Sequence, residues 1–119
     1  MTLADELVPE AGDVLWMSFD PPVGREQAGR RPAVVVSPHA YNSRSSYVIV
    51  CPVTTRSRPW PYQIPLGAHE PVRGAVIVDQ VRSVDRRQRA LRTQGRVSPE
   101  ALEQIRYVLA AILGISVAA

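Results

Sequence analysis

Apolar positions in this chain come in short runs rather than long ones. Val14-Leu15-Trp16-Met17-Ser18-Phe19 is the first, opened by Gly12-Asp13 and stopped by Asp20-Pro21-Pro22-Val23-Gly24. Pro32 to Ser37 follows, a β-branched stretch starting at a proline, where a missing N–H does least harm. Tyr47 to Val53 is a third run, Tyr62-Gln63-Ile64 a short one, and Gly74 to Val78 and Leu91 to Val97 complete the set. Valine, isoleucine and aromatic runs bounded by glycine and proline predict strands. Between them, residues 38–46 read as turns and residues 54–61 as a loop, while residues 1–11 read as a loosely held arm.

The end of the chain has a different period. Ser98 is a good N-cap, Pro99 suits the first helical position, and Glu100 complements the helix dipole. Leu102, Ile105, Leu109 and Ile112 recur at spacings of three and four, which gives one apolar stripe, and Gly114 can end the helix. The pattern predicts a mainly β fold: a small barrel in a single domain over residues 1–119, packed by a C-terminal helix over about 99–113. Three strands are apolar on both faces. In a barrel one face fills the interior, so the other needs cover from the helix and from a second copy of the chain. A homodimer is therefore expected.

Length and composition narrow the class. A chain of 119 residues fits one domain, and 45% hydrophobic residues is too many for a disordered one. The apolar runs fall far short of the roughly 20 residues of a membrane helix. The N-terminus carries Asp5, Glu6 and Glu10 without a basic residue, unlike a signal peptide. With a single cysteine no internal disulfide can form, so the expected setting is the cytoplasm, away from membranes. The net charge is +3, and all 14 basic residues are arginine. A GC-rich genome explains the missing lysine as readily as function does. Guanidinium forks nevertheless suit phosphates and base edges, and the surface would attract polyanions.

No metal site and no cofactor motif is visible. His39 and His69 stand thirty positions apart, and no Cys/His pair has ligand spacing. Both histidines read as surface residues, and Cys51, inside a strand, reads as an inert core thiol. What remains is the polar loop Gly24 to Pro32 and the strand end Pro52-Val53-Thr54-Thr55. These can be a solvated loop and a plain strand terminus. They can also form a site on a barrel rim, where rigid scaffolds tend to carry function. Metal-free RNA cleavage needs a base for the 2′-OH proton, a cation for the phosphorane and a donor for the leaving oxygen. A carboxylate, arginines and a hydroxyl can fill those roles.

Gly24-Arg25-Glu26-Gln27-Ala28-Gly29-Arg30-Arg31-Pro32-Ala33-Val34-Val35-Val36 resembles the G-x-E-Q-[AG]-G-x-R-P-x-[VL]-V signature of the MazF/PemK/Kid toxins. Gly12-Asp13-Val14, Pro52-Val53-Thr54-Thr55 and Asp79-Gln80-Val81-Arg82-Ser83 resemble three further segments of that family, in its order and spacing. The resemblance runs from about Gly12 to Gly114. It implies an SH3-like barrel with a C-terminal helix and a homodimer that cuts single-stranded RNA at short sequences, leaving a 2′,3′-cyclic phosphate and a 5′-hydroxyl. It also implies an antitoxin whose acidic, otherwise disordered tail covers the active surface, and DNA binding by the toxin–antitoxin complex. By the same resemblance Arg31 matches a catalytic arginine, Thr54 a catalytic threonine and Glu26 a loop carboxylate serving as base. Gln80 and Arg82 match positions near the RNA groove. Gln27, Thr55, Arg56, Ser57 and Arg58 are assigned to RNA contact. Arg30 joins them as a phosphate contact at a position that varies in the family.

Two other classes compete. A gyrase poison of the CcdB kind shares the fold without hydrolysing anything, and the Arg31/Thr54 pair argues against it. A non-catalytic barrel that binds nucleic acid or peptide would use Trp60 and Tyr62, beside Arg56 and Arg58, for stacking.

Overall fold

The computed structural model describes residues 8–19, 24 and 29–116. Seven strands form one antiparallel sheet: β1 Asp13–Ser18, β2 Arg30–Val35, β3 Tyr47–Thr54, β4 Gln63–Pro65, β5 Ala75–Ile77, β6 Arg82–Asp85 and β7 Ala90–Arg96. Helices α1 His39–Asn42 and α2 Arg86–Arg89 are single turns, a 3-10 turn spans Val78–Gln80, and α3 Pro99–Leu113 closes the fold. The strand order is β4-β5-β3-β2-β1-β7, with β6 also paired to β3.

β3 organises the sheet because the two parts of one of its edges take different partners. Tyr47 to Val50 pair with β6, whereas Val53 and Thr54 pair with Val76 and Ala75 of β5. The apolar-run reading did not predict β6, since Arg82-Ser83-Val84-Asp85 holds a single apolar residue. Its backbone completes the edge of β3 while Val84 alone turns inward, 2% exposed. The 38–46 stretch read as turns contains α1, whose Asn42 is buried.

Alternation along the strands builds two cores. Val14, Val34, Cys51, Val53, Val76 and Ile105 lie in one, which α3 covers. Leu15, Met17, Phe19, Val35, Val48, Val50 and Val84 lie in the other, with Ala90 against it. Both faces of β1, β2 and β3 are thus buried within one chain, and two-faced strands do not by themselves call for a second copy. Apart from Tyr47 at the start of β3, the uncovered large apolar side chains lie elsewhere, including Tyr107, Leu113 and Ile115 on and just after α3.

α3 is capped at both ends. Ser98 Oγ accepts from Ala101 N at 3.1 Å, and Gly114 takes the left-handed conformation (φ 69°) that ends a helix. The cap is itself held by Glu70, which accepts from Ser98 N at 2.8 Å and from Ser98 Oγ at 2.6 Å. Burial would raise the Glu70 pKa, but the Ser98 hydrogen bonds and the neighbouring His69 outweigh it and hold the carboxyl below the usual glutamate value.

Residues 8–11, expected to be a loose arm, are tied to the body. Asn42 Nδ2 donates to Pro9 O at 2.8 Å, and Arg96 bridges Glu10 at 2.6 Å and Asp13 at 2.9 Å. Residues 1–7 of that arm lie outside the described residues. Arg86, buried, donates to the Asn42 and Ser45 carbonyls and anchors the loop that follows α1.

Candidate active site

Sheet register sets the site. β2 and β3 pair with Ala33 opposite Pro52. Two residues further along the same register, Arg31 falls opposite Thr54. Thr54 pairs with Ala75, one alternation from Ile77, and Ile77 pairs with Gln63. Arg31, Thr54, Ile77 and Gln63 therefore share one face across four strands, although they come from four distant parts of the sequence. All four line a cleft of roughly 840 Å³, joined there by Thr55, Arg56 and Arg58 from the loop after β3 and by Asp79 and Gln80 from the 3-10 turn.

Within the cleft Arg31 is half-buried, and its Nη1 donates to Val53 O at 3.4 Å, which turns the guanidinium towards the end of β3. Thr54 is 4% exposed, and its Oγ1 accepts from Arg56 N at 3.1 Å. A threonine hydroxyl that accepts from a backbone N–H keeps its proton to donate. Thr54 is thus an oriented donor beside a guanidinium, an arrangement that can bind a phosphoryl oxygen and stabilise charge developing on it.

Gly74 makes this strand end buildable. It lies at φ 115°, and a Cβ there would drive into the Thr54 carbonyl. Only glycine permits that approach. Trp60 also lines the cleft: its Nε1 donates to Asp79 Oδ2 at 3.1 Å, the Tyr62 ring stands at 77° to the indole with centroids 5.3 Å apart, and the Arg58 guanidinium stands 5.8 Å from the indole centre. Among the described lining residues three arginines face one carboxylate, so the cleft favours an anion.

Of the residues expected to act, the fold brings Arg31, Thr54, Thr55, Arg56, Arg58 and Gln80 together. Arg30 and Ser57 are exposed but outside the lining. Arg82 sits on β6 with its guanidinium 5.5 Å over the Phe19 ring and is outside the lining. Glu26 and Gln27 lie outside the described residues. The sequence reading did not single out Gln63, Ile77 or Asp79 as site residues. Asp79 had a signal, standing beside Gln80 in its motif, whereas Gln63 and Ile77 enter through register alone. Burial, with the Asp79 charge adding to it, pushes the Cys51 thiol up to about 12, so it is no nucleophile at neutral pH. His39 and His69 are exposed, and His69 Nε2 lies 3.2 Å from Glu70.

Residues 10–113 match the family described as PemK-like, MazF-like toxin of type II toxin-antitoxin system. The chain belongs to that family. It is similar to the endoribonuclease toxin MazF of Escherichia coli K12, at 38% identity over 112 residues, 94% of this chain and all of the relative. The endoribonuclease PemK of Escherichia coli is 32% identical, covering 87% of this chain and 81% of the relative. Among solved structures, the crystal structure of MazF from Deinococcus radiodurans matches with a TM-score of 0.85 and 41% identity, over 92% of this chain and 99% of that one. A MazE-MazF structure from the same organism matches at 0.79 and 38%, with the same coverage. The SH3-like barrel and C-terminal helix expected from the sequence are the family's fold. No helix among the described residues is long and apolar enough to cross a membrane.

Proposed function

We propose that this chain is the RNA-cutting toxin of a type II pair and that the arginine-lined cleft is its active site. The observation that carries the reading is the pairing of Arg31 with an oriented Thr54 hydroxyl at the floor of a cationic cleft. In the reaction the 2′-oxygen of a ribose attacks the adjoining phosphorus and the bond to the 5′ oxygen breaks. The ends left are a 2′,3′-cyclic phosphate and a 5′-hydroxyl. Arg31 stabilises the phosphorane rather than donating a proton, because a guanidinium holds its proton at neutral pH. Thr54 holds a phosphate oxygen through its hydroxyl. Glu26, carried over from the family signature, takes the 2′-OH proton, and a solvent water gives the leaving 5′ oxygen the proton that makes it a hydroxyl. Arg56 and Arg58 meet flanking phosphates, with Thr55, Gln80 and Gln27 contributing further RNA contacts.

The same cationic wall suits an acidic, extended antitoxin tail that competes with RNA, and relatives of this chain are solved as MazE-MazF complexes. Outer apolar side chains of α3, Tyr107 and Leu113, favour a homodimer. The cytoplasm, where RNA and antitoxin meet, is the setting. Cleavage should persist in excess chelator and stop when the nucleotide 5′ of the cut carries 2′-deoxyribose. Activity that needs added Mg²⁺ and tolerates the deoxy substitution overturns the mechanism.

A further inference from the structure

Trp60 is 41% exposed, and a lone surface aromatic is ordinary in itself. What sets this one apart is how firmly it is oriented. Its indole N–H is fixed by Asp79 and its ring is braced by the Tyr62 ring at 77° to it, while Pro59 and Pro61 restrict the backbone on either side. Its carbonyl accepts from Gln63 N at 3.0 Å, and Tyr62 O accepts from Val78 N at 2.9 Å, which ties the turn to the sheet and to the 3-10 turn. An exposed ring held this way is pre-ordered for a flat partner, and pre-ordering lowers the entropic cost of binding. The position of Asp79 supports the same conclusion. A carboxylate in a cleft that gathers three arginines works against a polyanion, unless its task is to hold something else there.

We propose that Trp60 is a nucleobase-stacking platform in this cleft, with Asp79 as the positioning residue that holds its ring. Arg58 lies near the roughly 6 Å limit of cation–π contact, so it is weakly held. A base laid on the indole displaces it, and the released guanidinium turns to the neighbouring phosphate. Bases stack on aromatic rings with little regard to sequence, so Trp60 contributes grip rather than a letter of the cut motif. This rests on the reading of the cleft as an RNA site.

The test uses the full chain. Trp16 and Trp60 are its two tryptophans, so Trp16→Phe leaves Trp60 as the only indole reporter. With Thr54→Ala added to suppress cutting, short random-sequence single-stranded RNA should quench the fluorescence, and inorganic polyphosphate, which has no bases, should not. In the otherwise unchanged enzyme, Trp60→Ala should raise KM by about five- to a hundredfold, the scale of losing one stacked base, with kcat within a few-fold. Trp60→Phe should recover most of the loss. Asp79→Leu should reproduce the KM rise, and Asp79→Asn, which keeps an acceptor for the indole, should reverse it. Cleavage with no quenching, an unchanged KM in Trp60→Ala, or Asp79→Asn as damaging as Asp79→Leu overturns the proposal while sparing the nuclease reading. Quenching by RNA in a chain that never cuts does the reverse. Quenching by an acidic peptide but not by RNA makes the ring a protein-docking residue and ends the proposal.

Discussion

The foot of α3 and the cleft are built from the same residue types and reach opposite ends. At the foot, the Glu70 side chain is 4% exposed, bound twice by Ser98 and flanked by His69. Arg96 on β7 is likewise matched by Glu10 and Asp13. In the cleft, Arg31, Arg56 and Arg58 share their walls with a single described carboxylate, Asp79, whose hydrogen bond goes to an indole rather than to a guanidinium. Charges matched inside the fold hold elements together. Arginines gathered in one cleft beside a single described carboxylate give an anion from outside something to bind.

If that contrast is right, the two regions should fail differently. Arg31→Ala and Thr54→Ala should each slow cleavage a hundredfold to a thousandfold, about 3–4 kcal/mol of barrier, with melting temperature nearly unchanged. Single-turnover rates read beside calorimetry check this, and a variant cutting within a few-fold of the parent removes its residue from the mechanism.

Gly74→Ala joins the two kinds of failure, since the added methyl must push the Thr54 carbonyl aside. A loss of about 2–3 kcal/mol in urea unfolding is expected, from strain at that positive φ, with cleavage falling further than the remaining folded fraction explains. Parental activity per folded molecule would mean that the strand end tolerates the shift.

At the foot, Glu70→Ala should cost about 1–2 kcal/mol of stability and leave the rate per folded molecule alone. The sign with pH follows from the lowered pKa. The folded carboxyl titrates below the unfolded one, so its contribution is present above about pH 4.3 and is lost as pH falls through the folded value. The gap in melting temperature between parent and Glu70→Ala should therefore close in acid. A gap that widens on acidification contradicts the geometry at Ser98.

Strong local signals were legible in the chain. β1, β2 and β3 stand where the apolar runs stand, and α3 starts and stops at Ser98 and Gly114, because capping chemistry and a 3.6-residue period act over a few neighbours. β6 was hidden because an edge strand is held mainly by backbone pairing, which needs no apolar pattern. The cover of the second face was misjudged for a related reason. Whether β6 and β7 close that face, or a second copy must, depends on how far the sheet curls, and alternation carries no record of curl.

The site divides in the same way. Each motif fixed which side chains were on offer, Arg31 in one, Thr54 in another and Gln80 in a third, since residue type and spacing are properties of the chain. That they meet on one face was decided by register. A shift of one residue between β2 and β3 would send Arg31 to the opposite face from Thr54. Gln63 and Ile77 entered the cleft, and Arg82 came to stand over the Phe19 ring, through pairings between segments far apart in sequence. Composition set the chain's capacity for anions, and the tertiary structure alone chose where Arg31, Arg56 and Arg58 gather.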